Sequence, residues 1–321
     1  MSQAREKLPP WVLSMVSGLC ANAIFAFLGA FAYLAGLRAI DYGFGIFVCL
    51  PTILGFMASV ILEMWGQWKL SLHAITSIWT CFFGLLVAFV VYFEGVLCLT
   101  MALPLIYPLT FLGALMGYGL MRSIRRRQGT LLVSALVLAP LSLAVDSLRH
   151  PTPPTREIST EVVIHASPER IWPLLFNLEE LPPADFWMFR MGVAHPKSVR
   201  TDHVGVGGNR FCVLSTGEMP ETIADYDQPR RFVFKVRSTP ETMREWNPLG
   251  SRETPHLKNY FECLEGGFTL TRLPNGDTKL SGFTHYRHYY SPSAYWNLWT
   301  DKIVREVQWQ VMSEIKRRAE K

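Results

Sequence analysis

The sequence predicts two unlike parts. An all-α transmembrane bundle occupies residues 1–150, and an α+β domain, a curved antiparallel sheet gripping a long C-terminal helix, occupies residues 156–321. Three observations predict this. Residues 1–150 hold nine Lys/Arg and five Asp/Glu, whereas residues 151–321 hold 22 and 21. The first part is divided into long uncharged intervals. The second switches to period-two alternation and ends in an amphipathic helix.

Whole-chain averages exclude several classes before any motif is read. Half of the 321 residues are hydrophobic and only 18% are charged, too apolar for a disordered chain. Six cysteines are too few for a disulfide scaffold of this length. A net charge of +5 is too modest to indicate nucleic acid. The seam, Pro151-Thr152-Pro153-Pro154-Thr155, reads as a stiff polar linker.

Trp11 to Leu37, Tyr42 to Leu62, Gly95 to Met121 and Gln128 to Val145 carry no charge, and His73 is the one ionisable group between Lys69 and Glu94. A helix needs about 20 apolar residues to cross the hydrocarbon. Five spans are therefore expected, at 13–37, 42–62, 72–93, 96–121 and 129–147, the last near the length limit. A cleaved signal peptide fits the first less well, because its apolar run is too long. The densest basic cluster is Arg122, Arg125, Arg126 and Arg127. Placing it in the cytoplasm puts Arg5, Lys7 and Lys69 inside and Glu94 outside without contradiction. Five spans then leave the second domain outside the cytoplasm; four would leave it inside. Pro104 and Pro108 are expected to kink the fourth span. The charges are read as sitting at span ends, so a transport path is not indicated; Glu94 is the one tempting acid.

In the second part, Glu157–His165 is β-branched and reads as a strand. Ser167 and Pro168 then suit the start of a helix that runs on toward Pro182-Pro183. Strands follow at Ser198–His203, Asn209–Thr216, Glu221–Tyr226, Arg231–Val236, Tyr260–Leu264 and Phe268–Leu273, with Gly266-Gly267 suggesting a bulge. Pro274-Asn275-Gly276-Asp277 is a strong hairpin signal, and Thr278–His288 returns. Trp296, Trp299, Ile303, Val307, Val311 and Ile315 form one face of a helix over Ser293–Ala319.

Several of these segments carry a resemblance. EVVIHASPERIWPLL (161–175), GFTLTRLPNGDTKLSGFTHY (267–286) and SAYWNLWTDKIVREVQWQVMSEIKRRAE (293–320) resemble the opening strand and helix, the last hairpin and the terminal helix of the START/Bet v 1-like (SRPBCC, polyketide cyclase-like) superfamily, a helix-grip fold. NRFCVLSTGEMPETI, MREWNP, PHLKNYF and YWNLWTDKI are similar to a bacterial group that joins this domain to an N-terminal membrane region. The resemblance covers about residues 156–320. It implies an apolar cavity between sheet and helix, as in members that bind lipids, sterols, polyketides or hormones, and in some cyclases and dehydratases. A bacterial inner-membrane protein with a cytoplasmic N-terminus is the matching location.

Period two assigns the faces. Arg210, Cys212 and Leu214 share one side, which the resemblance favours as inward. Glu221, Ile223, Phe232 and Phe234 join them from the next pair. Phe268, Leu270, Leu280, Thr284 and Tyr286 come from the last hairpin, with Trp296 and Trp299 from the helix. Each apolar member is more readily read as plain core, because core is where hydrophobic residues go. Arg210 and Glu221 are a candidate pair, either orienting a ligand or structural. The long excursion from Arg237 to Leu257, with Met243, Arg244, Glu245, Trp246 and His256, reads as a lid or as a surface loop, and Trp246 is expected to dock. His285 and His288 point to opposite faces and cannot share a metal. No catalytic residue, metal site, nucleotide loop or cofactor motif is found, and Cys212 lacks a local base. Cys212 and Cys263 are a conceivable disulfide in an exported domain. The expected ligand is a hydrophobic small molecule or lipid held by Arg210, Cys212, Leu214, Glu221, Phe234, Trp246, His256, Phe268, Leu270, Thr284, Tyr286, Trp296 and Trp299. The alternatives are a cyclase or dehydratase, with Tyr286, Glu221 or His256 as acid or base, and an interaction module with a closed cavity.

Overall fold

The computed structural model describes residues 8–34, 43–91, 94–125, 152–183, 185–244, 246–249, 257–258 and 260–321. Two compact units are present, Met1–Pro151 and Thr152–Lys321.

The first unit contains helices α1 (Pro10–Leu34), α2 (Leu50–Met64), α3 (Leu70–Val91) and α4 (Val96–Arg125), with one π-helical turn, Gly45–Cys49, leading into α2. With that turn counted in α2, as Gly45–Met64, all four helices are long and apolar enough to cross a membrane. The expected fifth span, 129–147, lies outside the described residues. The assigned α4 runs unbroken through Pro104 and Pro108.

Glycine decides how α2 and α4 meet. A Cβ on Gly55 would lie 1.9 Å from the Thr110 carbonyl oxygen, and one on Gly113 would lie 1.9 Å from that of Thr52. A Cβ on Gly117 would come within 2.7 Å of the Phe56 oxygen. The two helices therefore pack backbone to backbone along small residues four apart. Between apolar helices, such close approach adds van der Waals attraction along the whole contact. Asn22 ties α1 to α3 by donating to the Thr80 carbonyl at 3.1 Å.

One expectation fails here. Glu63 is not an exposed charge at a span end: it is 1% exposed, with Oε1 3.1 Å from Nε2 of His73, itself wholly buried. The close α2–α4 approach and the turn into α3 enclose it.

The second unit is one seven-stranded antiparallel sheet in the order β1-β7-β6-β5-β4-β3-β2. Its strands are β1 (Arg156–Ile164), β2 (Pro196–Thr201), β3 (Asn209–Leu214), β4 (Glu218–Asp227), β5 (Arg231–Val236), β6 (Phe261–Arg272) and β7 (Thr278–His288). Between β1 and β2 lie two single-turn helices, α5 (Pro168–Ile171) and α6 (Trp187–Arg190). Helix α7 (Ser293–Ala319) ends the chain. The last hairpin turns at Gly276 with φ +89°, a conformation that favours glycine.

Two contacts explain why the sheet curls around α7. Gln308 donates to the Ile158 carbonyl on edge strand β1 at 2.9 Å, while Gln310 donates to that of Pro196 on the opposite edge, β2, at 3.3 Å. One helix thus reaches both edges of one sheet. The core below it joins Trp172, Leu175 and Phe176 to Phe232, Phe268, Leu280, Met312 and Ile315.

Three details differ from the sequence expectation. The helix opening at Pro168 does not continue toward Pro182; after Ile171 it tightens into a 3-10 turn, Trp172–Leu175. Pro173 has no N–H to extend the α-helical ladder. Next, β6 is one strand whose register shifts between Cys263 and Glu265, not at Gly266-Gly267. Those glycines make room instead: a Cβ on Gly266 would lie 2.7 Å from Cζ of Phe234. Finally, the buried stripe of α7 is Trp296, Thr300, Val304, Gln308, Val311, Met312, Glu314, Ile315 and Ala319, whereas Trp299, Ile303 and Val307 are half-buried. Each of its three polar residues finds partners: Thr300 meets the Tyr286 hydroxyl at 2.9 Å, Gln308 also donates to Thr284 Oγ1 at 2.9 Å, and Glu314 pairs with Arg317 and Arg318, each at 2.6 Å.

Candidate functional site

The concave face of the sheet is built by alternation. Arg210 and Glu221 face each other directly across β3 and β4, and both are buried. They form an ion pair through Arg210 Nη1 and Glu221 Oε2. The guanidinium carbon also lies 4.7 Å from the centroid of the Phe234 ring, and Nη2 is 3.5 Å from the Leu175 carbonyl oxygen. Arg210 Nε and Glu221 Oε1 have no hydrogen-bond partner. A buried polar atom left unmatched costs about 1–3 kcal/mol, so the pair offers one donor and one acceptor to whatever fits beside it. Burial raises the pKa of Glu221 above the ordinary carboxylate value, and Arg210 opposes that shift.

Around this pair the inward residues fall into two groups. Cys212, Ile223, Phe232, Phe234, Phe268, Leu270 and Leu280 are fully buried in one apolar cluster. Leu214, Met219, Val236, Cys263 and Thr284 stay partly accessible, as do Trp299, Ile303 and Val307 of α7. On α7, Ile303 and Val307 fall between Gln308, which reaches β1, and Gln310, which reaches β2. They belong to the helix side enclosed by the sheet. The apolar cluster is thus fully buried, while the positions beside the ion pair pack against it and keep some solvent access.

The other sequence-chosen residues have separate fates. Tyr286 is wholly buried. Its hydroxyl donates to Asp301, and Asp301 also receives Nη2 of Arg156 at 2.6 Å. Burial and the Asp301 bond push the Tyr286 pKa up to about 12. Its hydroxyl is thereby committed to tying β7 to α7. Trp296 is buried against the Tyr290 ring at 5.5 Å. Trp246 does not dock: it is 60% exposed. His256 and Glu245 lie outside the described residues. The excursion is anchored ahead of them, where Met243 pairs with Val193 and Arg244 donates to the Gly192 carbonyl at 2.9 Å. A Cβ on Gly192 would lie 2.0 Å from the Arg244 oxygen, so glycine permits that approach.

Cys212 and Cys263 are free thiols. Burial, followed by the nearby Glu221, pushes Cys212 up to about 12, and the same two causes drive Cys263 up. Neither is poised as a thiolate. His285 and His288 do lie on opposite faces. His285 bridges Glu265 and Glu157 at 2.9 and 3.1 Å, while buried His288 meets Asn297 at 2.7 Å. Among the described residues no cluster of three His, Cys, Asp or Glu could hold a metal ion.

Sequence reading missed Gln308, Thr300 and the Arg156–Asp301 pair. All three join segments about 140 residues or more apart or cross the helix–sheet boundary, where no local period points. The one available signal was polar residues recurring within an otherwise apolar helix stripe.

No family model and no curated protein matches this chain. Among solved structures it is similar to norcoclaurine synthase from Thalictrum flavumn, a point mutant in complex with a transition-state analogue, at 11% identity over 53% of this chain and 97% of that one, with a TM-score of 0.33. A protein from Mesorhizobium loti matches at 14% identity over 51% and 96% of the two chains, TM-score 0.31. One from Thermus thermophilus matches at 15% over 51% and 97%, TM-score 0.33. Scores this low carry no argument. It is the sheet order and the terminal helix themselves that fit a START/Bet v 1-like fold.

Proposed function

We propose that this chain is a membrane-tethered module that binds a hydrophobic small molecule or lipid between the sheet and α7. The observation that carries this is the buried Arg210–Glu221 pair with an unused donor and acceptor, set beside inward apolar side chains that remain partly accessible. An apolar body with one polar end suits both. The four apolar helices would hold the domain in the bilayer that supplies such a ligand. Five spans with a cytoplasmic N-terminus, and the second unit outside, complete the arrangement.

Native mass spectrometry on the full chain, gently extracted from membranes, tests the binding. Retention of an apolar ligand by the wild type, lost in Arg210→Met/Glu221→Leu, is expected; a wild type that emerges empty overturns it. A membrane-impermeant thiol probe against Lys321→Cys tests the topology. Labelling in intact cells fits five spans, and labelling only in broken cells overturns that count. A cyclase- or dehydratase-type reading rests on Glu221, whose raised carboxyl is, among the described residues of the second unit, the inward acid with an unmatched oxygen.

A further inference from the structure

A second site, in the first unit, goes beyond that reading. The end of α2, the start of α3 and the end of α4 come together, and Trp68, Tyr118, Arg122 and Arg125 line a cavity of about 310 Å³ there. The Arg125 guanidinium carbon lies 3.0 Å from the centroid of the Trp68 ring. Arg122 donates Nη1 to the Tyr118 hydroxyl at 3.0 Å. Among the described residues neither arginine is ion-paired with a carboxylate, and both are exposed.

The geometry points to a binding site for a net-anionic phosphate headgroup, one that carries no cation of its own to compete for the phosphate. A guanidinium over an indole face is held by cation–π attraction, and its planar fork can meet phosphate oxygens in a bidentate fashion. Two cations at one helix-bundle end, flanked by an indole and a phenol, match the interfacial level of a bilayer. The wall behind them is a buried polar cluster. The Tyr118 ring lies 4.8 Å from that of His73, and His73 Nδ1 is 2.5 Å from Ser59 Oγ. Nε2 of His73 faces Glu63 at 3.1 Å, too poorly aligned for a hydrogen bond, so both Glu63 oxygens stay unmatched. This buried cluster holds Tyr118, and through it Arg122, in place. Met64 and Ile124 remain exposed at the same end, where the acyl chains of a phospholipid would lie. In the topology proposed above this end is cytoplasmic, the side richer in anionic lipid.

The test uses the full chain in nanodiscs of equal phosphatidylglycerol and phosphatidylcholine, followed by native mass spectrometry of the retained lipid. Phosphatidylglycerol is expected to be kept in preference. Each arginine is worth about fivefold in retention, so Arg122→Gln/Arg125→Gln should lose most of the preference. Arg125→Lys, which keeps the charge but not the planar fork, should lose part of it, and it decides the matter if the double variant fails to fold. Inorganic phosphate distinguishes the source. If millimolar phosphate leaves the retained lipid in place, the occupant is a headgroup. If it displaces the lipid and binds the wild type but not the variants, the site takes free phosphate by the same chemistry. Equal retention of the two lipids, or unchanged retention in Arg125→Lys and the double variant, overturns the site.

Discussion

Removing one member of the Arg210–Glu221 pair separates a structural role from a ligand-holding one. Both side chains are almost inaccessible, so Arg210→Met leaves a carboxyl in an apolar site with no counter-charge. Breaking a buried pair in this way costs about 3–5 kcal/mol, whereas replacing both partners by apolar residues of similar volume is neutral to stabilising by about 1–4 kcal/mol. Hydrogen exchange of the full chain in detergent, followed on peptides from β3 and β4, reads this directly. The single variant should exchange faster by roughly two to nearly four decades, since each 1.36 kcal/mol is about tenfold. Arg210→Met/Glu221→Leu should return to wild-type protection. The cost should also depend on pH. Burial already raises the Glu221 pKa, and losing Arg210 raises it further. The unfolded chain then releases its proton first, so the single variant loses stability as pH rises from the ordinary carboxylate value through the raised one. Wild-type exchange in Arg210→Met at pH 7 would refute the reasoning, because it would mean Glu221 is not desolvated.

Three further outcomes are expected. Gly113→Ala places a Cβ 1.9 Å from the Thr52 carbonyl oxygen and should destabilise the helical unit by about 1–3 kcal/mol, read as a lower melting temperature in detergent; Gly119→Ala, where nothing lies within 4 Å, is the control. Gln308→Leu strips partners from Ile158 O and Thr284 Oγ1 and should cost about 1–3 kcal/mol, measured by exchange of β1 and β7 peptides. The two histidines of β7 should titrate in opposite senses. Burial opposes the charged form of His285, but Glu157 and Glu265 outweigh it and raise its pKa above 6.5. Its contribution is therefore full below that value and fades as pH rises through the folded pKa. His285→Gln should be less stable than wild type at pH 6 and converge with it at high pH. Burial lowers the His288 pKa, so wild-type stability falls as pH drops below 6.5 and His288→Asn should flatten that fall. Melting curves between pH 5 and 8 check both.

Much of the architecture was legible because it depends on local periods. The uncharged intervals marked helices α1 to α4, and alternation marked β5, β7 and the hairpin between β6 and β7 with correct bounds for β5 and β7. Alternation also put Arg210 and Cys212 on one side of β3, and the resemblance favoured that side, with Glu221 and Phe268, as inward. What it could not convey was which inward residues pack solidly and which stay partly accessible. That depends on how far α7 and the loops crowd each position. Trp246 illustrates the limit: a loop tryptophan docks only if a surface lies within reach, and among the described residues none covers it.

By itself the sequence determined the division into an apolar helical part and a mixed sheet-and-helix part, since charge density and hydrophobic period are local properties of the chain. Tertiary structure alone decided the rest. Backbone contact through Gly55 and Gly113 buried Glu63 beside His73. The reach of Gln308 and Gln310 to opposite sheet edges set the rotation of α7 and brought Thr300 inward in place of Trp299. Each outcome turns on polar groups that residues distant in sequence must satisfy. A periodic pattern says which way a side chain points, and only the assembled fold says what it meets there.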